Sequence, residues 1–148
     1  IRNITFRNST IYKFKNYLIF GTNSEIENII LENCTFNEIM MNAVDKKMIM
    51  DLNNTTAVGN GILIRNCILG KSQPGFSRGI RVGGQALAIE GSYCTADYDD
   101  KSYRSIIPRL TVFPGLSTDL WSDTEMGNFS FKDKSFAGAN SAGDPRWR

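Results

Sequence analysis

Apolar and polar residues alternate along one stretch of the chain, and that stretch recurs four times. The copies span residues 1–11, 26–36, 59–69 and 84–94. Aligned, they form columns, meaning sets of residues at equivalent positions of successive copies. Four columns carry the pattern: Ile4, Ile29, Ile62 and Leu87; Phe6, Leu31, Ile64 and Ile89; Asn8, Asn33, Asn66 and Gly91; and Ile11, Phe36, Leu69 and Cys94. Alternation with period two is typical of a strand, and recurrence every 25 to 33 residues is typical of stacked repeats. The pattern predicts an all-β fold, a parallel β-helix of three to four coils.

The asparagine column interrupts the alternation. Ile4 and Phe6 point inward, and the inward positions then resume at Ser9 and Ile11, so the parity changes at Asn8. Such a change needs a bend, and asparagine tolerates the left-handed backbone that a bend requires. We therefore predict that Asn8, Asn33 and Asn66 form a structural ladder of stacked amides rather than a ligand site.

Two outward columns precede the asparagines. One is Arg7, Glu32, Arg65 and Glu90, whose charges alternate in sign and predict a ladder of ion pairs on the surface. The other is Thr5, Ile30, Leu63 and Ala88, which is too apolar for a face in contact with water. We expect another part of the chain to cover it.

Each coil has a second apolar segment, at residues 17–20, 47–52 and 78–82, followed by turns rich in Gly, Asn, Ser and Thr. The second coil is the longest, so loops are expected around 37–46 and 53–60. The repeat ends after Cys94, which divides the chain into coils (1–95), a polar connector (96–105) and a tail (106–148). The tail is too short and too rich in glycine to bury a core of its own. We expect it to fold onto the coils and cap them through Phe113, Leu116, Leu120, Trp121, Phe129, Phe131, Phe136 and Trp147.

Composition narrows the function classes. The 148 residues include 17 basic and 15 acidic side chains, a net charge of +2 that is too balanced to indicate nucleic-acid binding. The sequence contains no run of 18 apolar residues, so it predicts no membrane span. Without histidine there is no Cys/His metal site, and we expect Cys34, Cys67 and Cys94 to be inward thiols, with a Cys34–Cys67 disulfide as the alternative. The chain opens inside a repeat, so further coils or a targeting segment are expected upstream.

The repeated Asn-Cys-Thr-Phe pattern resembles pectate-lyase-like right-handed β-helices. The tail sequences Asp119-Leu-Trp121, Gly127-Asn-Phe129, Phe131-Lys-Asp133, Ser135-Phe-Ala-Gly138 and Ala142-Gly-Asp-Pro-Arg-Trp147 are similar to an uncharacterised C-terminal domain family. That family follows such β-helices in secreted and surface lipoproteins of gut Bacteroidetes. The resemblance implies a right-handed coil, an extracellular or outer-membrane location with lipid anchoring through upstream residues, and a polysaccharide-utilisation context.

A pectate-lyase-like enzyme would need carboxylates converging on Ca²⁺ and an Arg or Lys acting as a base beside them. Asp51 is the only carboxylate of the second segments, and the alignment puts Gly21 and Gly83 beside it. Asp97, Asp99 and Asp100 cluster in the connector instead. Arg78 and Arg81 are candidates for a base or a uronate clamp, but the alignment gives them no acidic column. We therefore predict no catalytic residue, and expect Ca²⁺ only if the protein is a lyase.

A glycan-binding protein needs exposed aromatic rings beside a few polar groups. The candidate glycan-binding residues are Arg78, Arg81, Tyr98, Tyr103 and Trp121. Trp121 and Trp147 have a second interpretation as hydrophobic anchors of the cap. The expected function is non-catalytic handling of an acidic or pectin-like polysaccharide. The alternatives are a polysaccharide lyase with its site in other coils or loops, and a structural adhesin or protease-passenger-like stalk.

Overall fold

A computed structural model describes residues 1–42, 48–52, 56–74, 79–81, 86–99 and 107–148. These residues form an all-β fold, which confirms the predicted class. The only helical elements among them are one turn of α-helix, α1 (Ser117–Leu120), and one 3-10 turn, Pro145–Trp147. The strands are β1 (Asn3–Tyr12), β2 (Ile19–Phe20), β3 (Glu25–Ile26), β4 (Asn28–Asn37), β5 (Met50–Asp51), β6 (Ala57–Val58), β7 (Ile62–Arg65), β8 (Ile68–Leu69), β9 (Ile80–Arg81), β10 (Leu87–Glu90), β11 (Tyr93–Cys94), β12 (Thr111–Val112), β13 (Trp121–Asp123) and β14 (Asn128–Phe131).

The main sheet has seven strands, and every neighbouring pair in it is parallel. Its order is β10-β7-β4-β8-β11-β12, with β1 paired to β4. The register sets Ile4 opposite Ile29, Ile29 opposite Ile62, and Ile62 opposite Leu87. The columns that begin at Phe6 and Ile11 are paired in the same way. The predicted columns are therefore confirmed, and the sheet curls around them.

Two shorter parallel sheets accompany the main one. The sheet β2-β5-β9 lies in the predicted second segments of the coils. The sheet β3-β6 was not predicted, because its two-residue strands give no period-two signal and β6 lies within an expected loop. Parts of the expected loops and turns, residues 43–47, 53–55 and 82–85, lie outside the described residues.

The inner core is made by side chains that point inward from these three sheets. Ile29, Leu31 and Phe36 of β4 are essentially inaccessible to water. Cys34, Cys67 and Cys94 are buried free thiols, as expected, and the alternative disulfide is not formed. The hydrogen bond with Cys34 and burial together raise the pKa of the Cys67 thiol well above its usual value, so this thiol stays protonated in the core.

A second hydrophobic cluster lies outside the main sheet, between its outer surface and the tail. The tail contributes Phe113, Leu120, Trp121, Phe129, Phe131, Phe136, Ala139 and Ala142, while the coils contribute Ile68 and Tyr93. Rings meet edge to face across this boundary, with centroids 4.8 Å apart for Tyr93 and Phe136 and 5.2 Å apart for Tyr12 and Phe129. Leu116, another expected cap residue, is instead exposed. Ile106, the expected first residue of the tail, lies outside the described residues.

The position of the tail differs from the expectation. The tail packs on the outward column that follows the asparagine bend, Thr10, Thr35, Ile68 and Tyr93, which we call the covered face. The predicted target, Thr5, Ile30, Leu63 and Ala88, remains partly exposed and is called the open face. Ile30, Leu63 and Ala88 of this face line a shallow groove of about 390 Å³. The expectation was wrong because the bend gives each strand two outward surfaces. Only the second places Tyr93 against an aromatic ring of the tail and the hydroxyls of Thr10 and Thr35 within hydrogen-bond reach of it.

Polar contacts and one close approach fix the tail to the coils. Asp144 accepts a hydrogen bond from Thr10 Oγ1 at 2.8 Å, and its backbone N–H donates to Thr35 Oγ1 at 3.0 Å. Trp147 Nε1 donates to Thr10 Oγ1 at 2.6 Å. A side chain at Gly70 would place its Cβ 2.5 Å from Cζ3 of Trp121, so only glycine allows the indole to approach the sheet. Coils and tail are therefore held by polar groups as well as by the cluster.

Candidate functional site

The charge column before the bend forms ion pairs across the strands. Arg7 Nε lies 2.6 Å from Glu32 Oε2, Arg65 Nε donates to Glu32 Oε1 at 2.9 Å, and Arg65 Nη1 lies 3.9 Å from Glu90. The hydrogen bond from Arg65 lowers the pKa of Glu32, and the charges of Arg65 and Arg7 act in the same direction, against partial desolvation. The predicted outward ladder is confirmed. Its arginines pair with carboxylates of neighbouring strands, as the interpretation of the column as a structural ladder requires.

The asparagine column has the backbone that the bend requires. Asn8, Asn33 and Asn66 have φ angles of 49°, 51° and 53°, and Gly91 has a φ of 51°. Asn33 Nδ2 donates to Asn8 Oδ1 at 3.0 Å. At Gly91 a Cβ would lie 2.6 Å from Asn66 Oδ1, so glycine serves the column by leaving room for that amide. The first two amides of the column therefore contact each other.

Arg81 has an acidic partner that the alignment missed. Its Nε and Nη2 donate to the two carboxylate oxygens of Asp51, both at 2.8 Å. The register places Asp51 between Phe20 and Arg81, not between Gly21 and Gly83 as expected. The error arose because two-residue strands carry too little pattern to fix their register. The Arg81 side chain remains 41% exposed although Asp51 is buried.

The prediction that Trp121 binds a glycan is wrong. Its side chain is 1% exposed and packs against Phe129, so it presents no ring face to a sugar. Its second interpretation, an anchor of the cap, describes its position. Trp147 is half-buried beside Phe129 as well. Tyr98 is half-buried against the inner core, whereas Arg78 and Tyr103 lie outside the described residues.

An exposed aromatic pair lies where the sequence suggested only a buried strand. Phe20 is 58% exposed, and its ring centroid is 4.8 Å from that of Tyr17, which is half-buried. Phe20 points outward from β2 in the same column as Asp51 and Arg81. We call Tyr17, Phe20, Asp51 and Arg81 the aromatic–arginine patch. The sequence did not reveal this patch, because an uninterrupted apolar run such as 17–20 does not show which of two neighbouring strand residues faces outward.

One carboxylate of the connector, that of Asp97, is held by the polypeptide itself. Asp97 accepts hydrogen bonds from Ser117 N at 2.9 Å, Ser117 Oγ at 2.7 Å and Thr95 Oγ1 at 2.6 Å. It thereby ties the connector to the first turn of the tail helix. Asp100 lies outside the described residues. Over the ranges that are described, no three Cys, Asp or Glu side chains gather in a metal-binding arrangement, and no helix is long and apolar enough to cross a membrane.

Comparison with known proteins identifies a family without a described activity. Neither the curated proteins nor the solved structures contain a significant match to this chain. One family model matches residues 29–147, from the middle of the main sheet to the last turn of the tail. This match includes both the coils and the tail that packs on them, and covers well over half of the chain. The chain therefore belongs to the family described as a domain of unknown function, DUF5123.

Proposed function

We propose that the protein binds a glycan without transforming it, and that the aromatic–arginine patch is the binding surface. The observation that carries the proposal is the outward column Phe20–Asp51–Arg81 with Tyr17 beside it. An exposed ring can pack on the apolar face of a sugar, while a guanidinium held in place by a carboxylate offers directed donors to hydroxyl or carboxylate oxygens. Convergence of apolar and polar groups of this kind is typical of ligand sites.

The dimensions of the patch favour an extended ligand. Phe20 and Arg81 lie two strands apart in a parallel sheet, which corresponds to about 10 Å along the coil axis. A polysaccharide lying along that axis would pass over both residues. The ligand class to test first is an acidic, pectin-like polysaccharide, because arginine is well suited to carboxylate recognition.

The binding experiment uses affinity electrophoresis and calorimetry with polygalacturonate and with a neutral β-glucan, each with and without Ca²⁺. Phe20→Ala should abolish retardation in the gel, and Arg81→Lys should weaken binding of the acidic glycan more than of the neutral one. Val112→Ala, at an exposed apolar residue of the tail, is the matched control and should bind as the wild type does. Equal binding by all variants would reject this patch.

The same samples separate the other function classes. Steady growth of absorbance from an unsaturated product would indicate a lyase and contradict the non-catalytic proposal. Absence of both product and binding would favour a structural stalk. The proposed surface location and polysaccharide-utilisation context rest on the resemblance of the tail, and protease shaving of intact cells tests them.

We also infer that the three parallel sheets are the sides of a right-handed parallel β-helix. The support is that equivalent residues of successive repeats pair in register, as Ile4, Ile29 and Ile62 do. Parallel strands joined by crossover connections are nearly always right-handed. An experimental structure with a left-handed path between β4 and β7 would contradict this architecture.

A further inference from the structure

The outer edge of β1 is an unpaired edge of the main sheet among the described residues. β1 pairs with β4 along one edge, and no described strand pairs with the other. The effect on the core is visible within single columns. Ile4, Phe6 and Ile11 are only half-buried, whereas their partners Ile29, Leu31 and Phe36 in β4 are fully buried. Unpaired strand edges are templates for the addition of another strand.

Two columns of asparagine side chains end at this edge, and the N–H groups of their last members are exposed to solvent. Asn28 Nδ2 donates to Asn3 Oδ1 at 2.7 Å, and Asn33 Nδ2 donates to Asn8 Oδ1 at 3.0 Å. Asn3 and Asn8 therefore act as acceptors toward β4. Neither Nδ2 group of these two residues has a hydrogen-bond partner within the described ranges. A strand added beyond β1 would satisfy both if it carried acceptor oxygens at the same positions.

The charge column ends at the same edge with an arginine. Glu32 lies between Arg7 and Arg65, so the pattern alternates in sign from strand to strand. Arg7 has Glu32 on one side only, and its side chain is 56% exposed. A carboxylate on the added strand would continue the alternation, whereas a cation would oppose Arg7.

We propose that the β1 edge is a docking surface for a parallel strand from another β-coil, which carries an amide opposite Asn3, a carboxylate opposite Arg7 and an amide opposite Asn8. That spacing, Asn-x-x-x-Glu-Asn, is the one in which β4 meets β1 from the other side. The far end of a second copy of this chain fits less well. It offers Glu90 in the charge column, but Ala86 and Gly91 stand where the amides are needed.

The proposal is tested with the full chain and a fluorescent peptide of residues 26–37 carrying Cys34→Ser, which presents the required pattern. A second peptide has Glu32→Lys in addition. The wild-type protein should bind the first peptide roughly tenfold more tightly than the second, because like charges facing each other oppose binding. The Arg7→Glu protein should reverse that preference. Lys134→Glu, which changes an exposed charge on the tail, is the matched control and should behave as the wild type does.

Hydrogen exchange supplies a second measurement. Bound peptide should slow exchange of the amides of residues 3–12 and leave those of β13 and β14 unchanged. Equal affinity for the two peptides, or no binding by a protein whose circular dichroism shows it folded, would overturn the proposal. So would self-association abolished by Glu90→Lys, because the occupant would then be the far end of a second copy.

Discussion

The two outward surfaces of the main sheet are built from the same strands but have different fates. Before the asparagine column, three residues of the open face, Ile30, Leu63 and Ala88, line a shallow groove. After it, the covered face of Thr10, Thr35, Ile68 and Tyr93 is packed against the tail. The bend at Asn8, Asn33 and Asn66 separates the two surfaces by changing which residues point outward.

The difference indicates why the tail packs on one outward surface of the parallel sheet and not on the other. Both faces are apolar enough to favour cover, but only the covered face combines bulky side chains with hydroxyls that meet the tail. Thr10 forms hydrogen bonds with Asp144 and Trp147, and Thr35 accepts one from the backbone N–H of Asp144. Ile68 packs in the second hydrophobic cluster. Apolar burial and satisfied polar groups therefore coincide at one face. Among the described residues, the open face forms no hydrogen bonds with the tail.

Removing the tail should have the largest effect on this comparison. Deletion of residues 106–148 would expose Ile68 and Tyr93, in addition to the open face, which is already partly exposed. We expect the remaining coils to be insoluble or to lose cooperative unfolding, because the stabilisation lost with the hydrophobic contacts of the tail exceeds the usual stability margin of a domain. Solubility, near-ultraviolet circular dichroism and calorimetry check this. A soluble truncated protein that melts at the wild-type temperature would show that the tail is an appendage.

Matched truncations on the two faces should separate them directly. Ile68→Ala removes a fully buried side chain and should lower the free energy of unfolding by about 2–5 kcal/mol. Leu63→Ala, at the partly exposed open face, should lower it less, by about 1–2 kcal/mol, because part of that side chain already contacts water. Urea unfolding of both variants provides the measurement. Equal losses would mean that the open face is buried as well.

The sequence predicts the repeat better than it predicts the packing on it. Recurring columns such as Ile4–Ile29–Ile62 were enough for the register of the main sheet, because a slip by one residue would turn every apolar side chain outward. Periodicity distinguishes inward from outward positions, yet it cannot tell which outward surface another segment will cover. That choice depends on tertiary contacts such as Gly70 with Trp121. Short strands gave equally little information, which is why Asp51 was misaligned and Phe20 overlooked.

We call the hydrogen bonds of Asp144 and Trp147 with Thr10 and Thr35 the polar clasp of the covered face, and we expect its contribution to stability to depend on pH. Burial tends to raise the pKa of Asp144, but hydrogen bonds from Arg146 and Thr10 outweigh it and hold the pKa below its usual value. A depressed folded-state pKa means that Asp144 stabilises the protein above the ordinary carboxyl pKa, and that this contribution is lost as pH falls through the folded value. Asp144→Asn should cost about 1–3 kcal/mol at neutral pH, since it weakens bonds to a charged group.

The measurement is urea unfolding of the wild type and Asp144→Asn from pH 7 down to about pH 3. The stability difference between them should narrow as the wild-type carboxylate is protonated. Asp123→Asn is the control, because Asp123 is an exposed carboxylate that accepts a hydrogen bond from Met126 N within the tail and, among the described residues, forms no hydrogen bond with the covered face. A difference that is constant with pH would show that the charge of Asp144 contributes nothing to the clasp.

The smallest effect is expected at the border of the open face, where the charge column runs. Glu32→Lys would set a cation between Arg7 and Arg65 in place of the carboxylate that contacts both. Ion pairs on a hydrated surface contribute little and are screened by salt. We therefore expect Glu32→Lys to lower the urea midpoint slightly in dilute buffer, and to lower it less at about 0.5 M NaCl. The midpoint of Glu32→Gln should lie between those of the wild type and Glu32→Lys at both salt concentrations. A large decrease that salt does not change would mean that Glu32 acts through buried contacts, and the contrast between a hydrated face before the bend and a packed face after it would then fail at this column.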